Sequence, residues 1–277
     1  MTERIGIVGV GRMGLAMVKH MISAGYAVTA CDIDPDHLNR ARAAGASTVA
    51  TPKDVAAAAD IVILGVGYDN EVKDVVYGPN GLFGAMKPGS VIAVSSTVSP
   101  DLMKTIDADA GKKGIDIFDA PICRGAAAAD SGTLLALVGG TPAIVARMTP
   151  VYRTFSSDVV HLGGVGTGQV GKAMNNFLLW VNGVALIEAG RLSEAAGMDL
   201  VKLRDALLIS SGASDALKNW DNVSFTWALK DMQIVADMAD KAGLSLPIAG
   251  AIKELVKEGR RIKKTNPPAW TGRKPVQ

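Results

Sequence analysis

A glycine fingerprint near the N-terminus constrains the fold of this chain more than any other feature. Residues 9–14 read Gly-Val-Gly-Arg-Met-Gly, which matches the spacing GxGxxG, and an apolar strand pattern at residues 4–9 leads into them. A helical pattern begins at Met13, so the glycines stand at a strand-to-helix turn. Glycines there permit a tight turn, close approach of a pyrophosphate to the backbone and close packing of helix on strand. The segment predicts the first βα unit of a dinucleotide-binding fold.

The rest of the first 162 residues alternates short apolar runs with helical patterns. This alternation is typical of βαβ units and predicts a mostly parallel, doubly wound sheet of the Rossmann type. The predicted strands are residues 27–31, 60–66, 90–94, 115–118, 134–138 and 159–162, and the predicted helices include residues 13–24, 100–111 and 142–154.

A glycine-rich joint at residues 163–168 marks a change of pattern, because strand-like runs disappear beyond it and helical patterns take over. Residues 169–196 lack proline and predict one long helix of about 40 Å at about 1.5 Å per residue. We therefore predict an α/β chain in three parts. A dinucleotide-binding domain spans residues 1–162, an all-α domain beginning with the interdomain helix spans 163–265, and an irregular tail spans 266–277.

The acidic residue Asp32 indicates which dinucleotide this fold binds. It follows the second predicted strand, where a carboxylate accepts hydrogen bonds from the adenosine ribose of NAD and repels the additional phosphate of NADP. No arginine that could clamp this phosphate occurs between Asp32 and Arg40. We therefore expect NAD, with NADP as the less favoured cofactor. One alternative stays open, in which Asp34 binds the ribose and Asp32 caps the next helix.

Residue spacing argues against several dehydrogenase mechanisms. A lactate-type mechanism needs a catalytic histidine, and His161, the only histidine near the domain joint, is better explained as a strand-end residue. Cys31 lies inside the nucleotide fold and is interpreted as a packing residue rather than a nucleophile. Short-chain dehydrogenases need a lysine four residues after a tyrosine, but the residues at that spacing are Ala30, Val72, Gly81 and Ser156.

Lys172 is the remaining candidate for acid–base chemistry. It follows the glycine joint in an otherwise uncharged stretch, and Asn176 lies one helical turn later on the same face. Because apolar surroundings disfavour the charged form of an ammonium, such a lysine can exchange a proton near neutral pH. The alternative is a lysine at a helix end that points into solvent.

Four further segments, in order along the chain, resemble motifs of one enzyme family. They resemble the STxSP loop, the DAPxSGG…GTL substrate loop, the GxGxxxKxxxN motif and a KD pair. Here they read Ser96-Thr97-Val98-Ser99-Pro100, Asp119-Ala120-Pro121 with Gly132-Thr133-Leu134, Gly166-Thr167-Gly168-Gln169 with Lys172 and Asn176, and Lys230-Asp231. With the fingerprint, they resemble the β-hydroxyacid dehydrogenase family from the N-terminus to about residue 255.

The resemblance implies a doubly wound domain joined by a long helix to an all-α domain, with the active site in the cleft between them. It implies hydride exchange between a nicotinamide and a small β-hydroxy acid, in a homodimer or homotetramer. Lys172 would be the catalytic acid/base and Asn176 would orient the substrate. The residues expected to bind the cofactor are Gly9, Gly11, Arg12, Met13, Gly14, Asp32, Val66, Gly67, Thr97 and Lys230. Those expected to bind the substrate are Ser96, Cys123, Arg124 and Gly125.

The chain departs from the family pattern where Ser-Gly-Gly is expected after DAPx. It has Cys123-Arg124-Gly125 there instead. The guanidinium of Arg124 can make bidentate bonds to a carboxylate, sulfonate or phosphate, so we expect it to contact the substrate. The alternative is that Arg124 reaches outward to cofactor or solvent. Cys123 is expected to line the pocket.

Composition argues against other partners. Twenty-nine basic and 27 acidic residues leave a net charge of +2, and the basic run at residues 260–264 is interpreted as a solvated helix end rather than a nucleic-acid site. The longest uncharged stretch, residues 173–187, is too short for a membrane span.

Two cysteines and three scattered histidines predict no metal site and a reducing compartment. Since the strand pattern starts within five residues of Met1, we expect no signal peptide and a cytoplasmic protein.

Two other functions are compatible with the same architecture. An imine reductase generally lacks the lysine, and a protein that senses NAD without turnover tends to lose it. The presence of Lys172 with Asn176 weighs against both, and the leading hypothesis is an NAD-dependent oxidoreductase.

Overall fold

The computed structural model describes residues 3–272. The chain divides into two compact units, Met1–Lys172 and Ala173–Gln277. The division falls inside the long helix rather than at the glycine joint, and the boundary predicted after residue 162 stays a prediction. Residues 273–277 of the predicted tail, and Met1, lie outside the described residues.

The first unit is built on a sheet that has nine strands within the described residues, in the order β3-β2-β1-β4-β5-β6-β8-β7, with β9 paired to β8. The pairs from β3 through β6 are parallel, β8 runs antiparallel to β6 and β7, and β9 runs parallel to β8. The strands are β1 (Ile5–Val8), β2 (Val28–Cys31), β3 (Ser47–Thr48), β4 (Ile61–Leu64), β5 (Val91–Val94), β6 (Asp116–Asp119), β7 (Ile122–Cys123), β8 (Leu134–Gly139) and β9 (Ser156–Gly163).

Helices connect these strands, and four of them begin with a proline that follows a capping side chain. Proline fits the first helical position because its missing N–H would have no partner there, and the cap accepts a bond from a later amide. The helices are α1 (Arg12–Ser23), α2 (Pro35–Ala43), α3 (Pro52–Ala58), α4 (Asp69–Tyr77), α5 (Pro100–Gly111), α6 (Gly125–Ser131) and α7 (Pro142–Tyr152). The cap–proline pairs are Asp34–Pro35, Thr51–Pro52, Ser99–Pro100 and Thr141–Pro142.

The sheet is buried on both faces, as the continuous apolar runs predict. Successive residues of a strand point to opposite faces. Ile61 and Ile63 of β4 therefore enter one core, which α1 and α7 help to form, whereas Val62 and Leu64 enter a second core with α3, α4 and α5. This arrangement confirms the predicted doubly wound α/β domain.

The second unit contains most of a long helix, α8 (Thr167–Ala195), which starts at the end of the first unit. It continues with α9 (Leu200–Leu208), α10 (Asp215–Lys218), α11 (Ala228–Ala242) and α12 (Pro247–Thr265). Its core is apolar and rich in tryptophan, with Trp180, Trp220 and Trp270 buried. The predicted all-α region is therefore confirmed.

Residues after α12 have no regular structure up to residue 272, but they pack closely. Trp270 is fully buried, and its indole N–H donates to the carbonyl of Leu186 at 3.0 Å. The carbonyl of Pro268 accepts a bond from the Trp220 indole at 3.0 Å. The irregular segment is thus part of the core of the second unit.

Short elements were the ones not predicted from sequence, namely β3, β7 and α6. Each spans seven residues or fewer, too short for a hydrophobic period to stand out. Strand β9 begins three residues before its predicted start because Ser156 already pairs with Leu134. Among residues 3–272, no helix combines the length and apolar character that crossing a membrane requires.

Candidate active site

The glycine fingerprint forms the turn between β1 and α1. Gly9 has a φ of 91°, which side-chain-bearing residues rarely adopt, and a Cβ added there would lie 2.7 Å from the carbonyl oxygen of Gly65. A Cβ on Gly14 would collide with the carbonyl of Gly9, so helix and strand meet at backbone distance. Gly11 is the N-cap of α1 and has no side chain to cover the first amide groups. The turn therefore fits the pyrophosphate of a dinucleotide.

Asp32 braces this turn from the end of β2. Its Oδ2 accepts a bond from Val10 N at 2.7 Å, its Oδ1 accepts one from Asp34 N at 2.9 Å, and its side chain is 9% exposed. Asp34 is the N-cap of α2 and accepts a bond from Asp36 N at 2.8 Å. The alternative in which Asp32 caps this helix is therefore wrong. The carboxylate stands instead where the sequence predicts the ribose ligand.

Other residues predicted to bind the cofactor lie around the same edge of the sheet. The Arg12 guanidinium forms a bidentate ion pair with Asp130, so it links the start of α1 to α6. Val66 and Gly67 lie in the loop after β4, and Gly67 N donates to Oε2 of Glu71 at 2.7 Å. Their roles toward a cofactor stay predictions.

The loop after β5, which contains Ser96 and Thr97, is fastened to α8 by Gln169. Gln169 is 1% exposed; its Oε1 accepts a bond from Val98 N at 3.0 Å, and its Nε2 donates to the carbonyl of Ser96 at 3.0 Å. These two bonds hold the backbone of the residues immediately before and after Thr97. Gln169 lies inside a motif recognised in the sequence, but its role there was not predicted. Its hydrogen bonds join segments more than 70 residues apart, which no local pattern shows.

A buried carboxylate, Asp119, holds the start of α8 to the end of β6. Its Oδ2 accepts bonds from Gly166 N at 2.9 Å and Gln169 N at 3.2 Å, whereas its Oδ1 is buried without a partner. Burial raises the pKa of Asp119 to about 6, although these backbone bonds favour the charged form. Asp119 belongs to the segment that resembles the substrate-loop motif, but no local pattern predicts this role, because its partners lie 47 and 50 residues away.

Lys172 lies on the second turn of α8, beside the segment that resembles the substrate loop. The half-buried ammonium Nζ is 3.7 Å from the thiol Sγ of Cys123, which is buried. The structure thus brings together two predicted site residues that lie 49 positions apart. Asn176 follows four residues later on the helix, is buried, and accepts a bond from Asn175 Nδ2 at 3.0 Å.

Arg124 is engaged by the protein itself. Its Nη1 donates to Asp158 Oδ2 at 2.6 Å and to Ser157 Oγ at 2.8 Å, so the guanidinium lies against the start of β9. Its φ is 80°, a strained value for an arginine, and Gly125 follows with a φ of 72°. The predicted contact between Arg124 and substrate stays a prediction. No local pattern predicts its partner Asp158, which lies 34 residues away.

Lys230, expected to lie over the nicotinamide, belongs to α11 of the second unit. Its Nζ is 5.7 Å from the centre of the Trp227 ring. The neighbouring Asp231 is buried and accepts a bond from the Trp180 indole at 3.0 Å. Among residues 3–272, no group of three or more histidine, cysteine or acidic side chains is placed to hold a metal ion.

Two family models together match nearly the whole chain. One, described as the NAD binding domain of 6-phosphogluconate dehydrogenase, matches residues 4–164. The other, described as NAD-binding of NADP-dependent 3-hydroxyisobutyrate dehydrogenase, matches residues 166–266. The N-terminal unit is therefore an NAD-binding domain.

Named relatives agree with these matches. A 2-(hydroxymethyl)glutarate dehydrogenase of Eubacterium barkeri is 34% identical over 78% of this chain and 71% of its own length. A probable mitochondrial 3-hydroxyisobutyrate dehydrogenase of Dictyostelium discoideum is 32% identical over 76% of this chain. The match spans just under two thirds of that second protein, 65% of its length.

Solved structures extend the similarity. A 3-hydroxyisobutyrate dehydrogenase of Mycobacterium tuberculosis with L-serine has a TM-score of 0.84 at 25% identity, and the match covers 93% of this chain and 94% of that one. An imine reductase of Myxococcus stipitatus shares the fold at a TM-score of 0.67 and 20% identity, over 94% of each chain. Since sequence and structure agree on one family, this chain belongs to the β-hydroxyacid dehydrogenase family of NAD-dependent oxidoreductases.

Proposed function

We propose that this protein interconverts a small β-hydroxy acid and its semialdehyde or keto form, with NAD as cofactor and Lys172 as general acid/base. The observation that carries the proposal is the contact between Lys172 Nζ and Cys123 Sγ at 3.7 Å. It puts a half-buried ammonium beside the segment that resembles the family's substrate loop. The names of the relatives, which are dehydrogenases of hydroxy acids, support the same reaction class.

A bound nicotinamide dinucleotide would supply or accept the hydride. Lys172 would hold a proton at Nζ, pass it to the substrate oxygen as a carbonyl is reduced, and take it back as a hydroxyl is oxidised. Asn176 would orient the substrate through its side-chain amide. Gln169 and Asp119 would fix the first turns of α8, so that Lys172 meets the substrate at a constant position.

The preference for NAD is proposed from Asp32. Its carboxylate stands at the end of β2 and is braced by two backbone amides. It suits the free ribose hydroxyls of NAD and repels a 2′-phosphate. We also propose that the protein acts as a homodimer or homotetramer.

Replacing Lys172 by alanine tests the mechanism. We expect turnover to fall by about 10²–10⁴-fold, the usual contribution of a positioned acid or base, while NAD still binds. The matched control is Lys112→Ala, which removes a surface lysine paired with Asp109 and should leave turnover unchanged. Absorbance at 340 nm measures turnover, and calorimetry measures NAD binding. An active Lys172→Ala enzyme would overturn the assignment.

The substrate class is tested with a panel of β-hydroxy acids that includes 3-hydroxyisobutyrate, glycerate, serine and sulfonate analogues. Turnover of any member with NAD supports the proposal. Turnover of cyclic imines with NADPH, and of no hydroxy acid, would identify an imine reductase instead. Tight NAD binding without turnover of either class would favour the non-catalytic sensing protein.

A further inference from the structure

The side chain of Arg12, the first residue of α1, is bonded to α6. Its Nη1 donates to Asp130 Oδ1 at 2.7 Å and its Nη2 donates to Asp130 Oδ2, so the guanidinium and the carboxylate pair edge to edge. A bidentate pair of this kind fixes the orientation of both groups as well as their distance. These hydrogen bonds also hold the pKa of Asp130 below its ordinary value, so its carboxylate stays charged.

A second side chain of α1 contacts the same helix. The ring nitrogen Nε2 of His20 lies 3.0 Å from the carbonyl oxygen of Ala129 and 3.1 Å from that of Asp130. A Cβ added to Gly132 would lie 3.1 Å from His20 Cε1, so the chain that leaves α6 passes directly against the imidazole. Helix α1 therefore holds the last turn of α6 through two side chains that stand about two helical turns apart.

Helix α6 has little stability of its own. It has seven residues, of which Ala129 is the buried one, and its N-cap residue Arg124 makes no side-chain bond to the first amide groups. Helices shorter than about 12–15 residues are marginal in water without tertiary contacts. Besides the attachment to α1, the bond between Arg124 and Asp158 fixes the chain just before α6. The position of α6 therefore depends strongly on α1.

The position of α6 matters because this helix continues residues 119–125, the segment that resembles the substrate loop. Cys123, two residues before the helix, contacts Lys172. Arg124 and Gly125 follow with φ values of 80° and 72°. A left-handed conformation at an arginine persists only where the surrounding structure imposes it. A shift of α6 would therefore release this conformation and displace Cys123.

We infer that Arg12 is a positioning residue, which through Asp130 holds α6 and the attached segment 119–125 in the arrangement that binds substrate. The inference rests on the function proposed above. A dinucleotide can still bond the backbone N–H groups of the glycine turn, but the guanidinium acts on the substrate side. If the segment adopts the binding arrangement for a smaller fraction of the time, the apparent affinity for substrate falls by the same factor.

The first measurement is the rate at which iodoacetamide alkylates Cys123 in the intact chain, followed by mass spectrometry of the cysteine-containing peptides. Cys123 is 4% exposed, so it reacts when its surroundings open. Arg12→Gln should make this reaction about three- to fivefold faster, the factor expected from the loss of one well-oriented exposed ion pair. Cys31 is buried in the same unit and is the internal reference, whose rate should not change.

The second measurement compares KM, kcat and the dissociation constant of NAD. Arg12→Gln should raise KM for the hydroxy acid by about the same factor as it raises the alkylation rate, whereas kcat should fall by less. The dissociation constant of NAD, measured by calorimetry, should change by less than about twofold, because exposed charges are screened by salt.

Two further variants and one control sharpen the test. Asp130→Asn and the double variant should match Arg12→Gln in alkylation rate and KM, because all three break the same interaction. Arg4→Gln is the matched control, since it breaks the exposed pair of Arg4 with Asp60, which join the chain just before β1 to that just before β4. It should leave the alkylation rate, KM and NAD binding unchanged.

Unchanged alkylation of Cys123 in Arg12→Gln overturns the inference. Weaker binding of NAD without a rise in KM also overturns it, because Arg12 would then be a cofactor ligand. Additive effects of Arg12→Gln and Asp130→Asn overturn it as well, since Arg12 would not act through Asp130. Faster alkylation of Cys123 in a protein that binds NAD but turns over no hydroxy acid supports the role of Arg12 and contradicts only the proposed function.

Discussion

Asp119 places a carboxylate in a fully buried position at the end of a parallel strand. One oxygen accepts two backbone N–H bonds, and the other has no partner. The loss of hydration outweighs these bonds, since the pKa of Asp119 rises to about 6. Keeping the carboxylate charged at neutral pH therefore lowers the stability of the fold. The same carboxylate attaches the start of α8 to β6 through its hydrogen bonds.

Stability measurements can detect this cost. The folded-state pKa of Asp119 lies above its ordinary value, so the folded protein binds the proton more tightly than the unfolded chain. The stabilisation from protonation is fully present below about pH 4 and is lost as pH rises through about 6, a difference of about 2–3 kcal/mol. Asp119→Asn should remove this contribution, so its free energy of unfolding relative to the unaltered protein should rise as pH rises from about 4 to about 7. Urea unfolding at several pH values between these limits provides the free energy of unfolding for both proteins.

Asp116→Asn is the control for this prediction. Asp116 belongs to the same strand, but its side chain is exposed. The Asp116→Asn protein should retain the contribution of Asp119 and therefore show the same dependence of stability on pH as the unaltered protein. Equal pH slopes for Asp119→Asn and the unaltered protein would show that Asp119 does not titrate as described.

At the scale of elements, the N-terminal end of α8 is the point where the parts of the candidate site meet. Asp119 fixes this end to β6, and Gln169 fixes it to the loop after β5. Lys172 follows within one turn of Gln169, beside Cys123. The position of Lys172 therefore depends on hydrogen bonds made by residues that need not touch a substrate.

Gln169→Glu tests this dependence. A glutamate keeps an acceptor for Val98 N but directs a second oxygen at the carbonyl of Ser96, so the ionised form leaves buried polar groups unpaired. We expect a loss of about 1–3 kcal/mol near pH 8 and recovery toward pH 5, where a protonated glutamate can donate again. Thermal unfolding at both pH values measures the loss. Over the same pH range, kcat of the variant should fall by a larger factor than its KM rises, because the substitution displaces Lys172.

Gln233→Glu on the exposed side of α11 is the matched control. The Nε2 of Gln233 donates to Asp237 Oδ1 at 2.6 Å in an exposed pair, so its replacement should change stability by about 0.5 kcal/mol or less. A Gln169→Glu protein as stable as this control at high pH would contradict the role assigned to Gln169.

At the scale of the whole molecule, each unit has a core of its own. The first has apolar layers on both faces of the sheet, and the second has a helical core that includes the residues after α12. Trp270 closes this second core although it belongs to no helix or strand. The irregular segment predicted from sequence is therefore a structural part of the second unit.

Trp270→Ala should reveal this contribution. Removing a fully buried indole and its bond to the Leu186 carbonyl should cost about 3–5 kcal/mol. Denaturant unfolding of the full chain, followed by tryptophan fluorescence, measures the loss. Trp227→Ala removes a half-exposed tryptophan and should cost less than half as much. Equal costs for the two variants would show that the segment after α12 contributes nothing to the core.

Local spacing in the sequence determined the class of the fold and the family. The fingerprint at residues 9–14, the buried strand runs and the change to helical patterns after residue 163 depend on neighbours within one or two turns, so they can be read before the chain is folded. The same holds for the cap–proline pairs that start α2, α3, α5 and α7. Short elements such as β7 and α6 were missed because they contain too few residues to show a period.

Tertiary structure alone decided which polar groups meet. The separations are 34 residues between Arg124 and Asp158, 47 between Asp119 and Gly166, 49 between Cys123 and Lys172, and 73 between Ser96 and Gln169. No local pattern encodes such pairs, because the order of strands in the sheet sets which segments end side by side. Local spacing was sufficient to predict a dinucleotide fold and a helix that carries Lys172. The crossovers of the folded sheet decided that Asp119 and Gln169 hold that helix, and that Arg124 binds a carboxylate of its own chain.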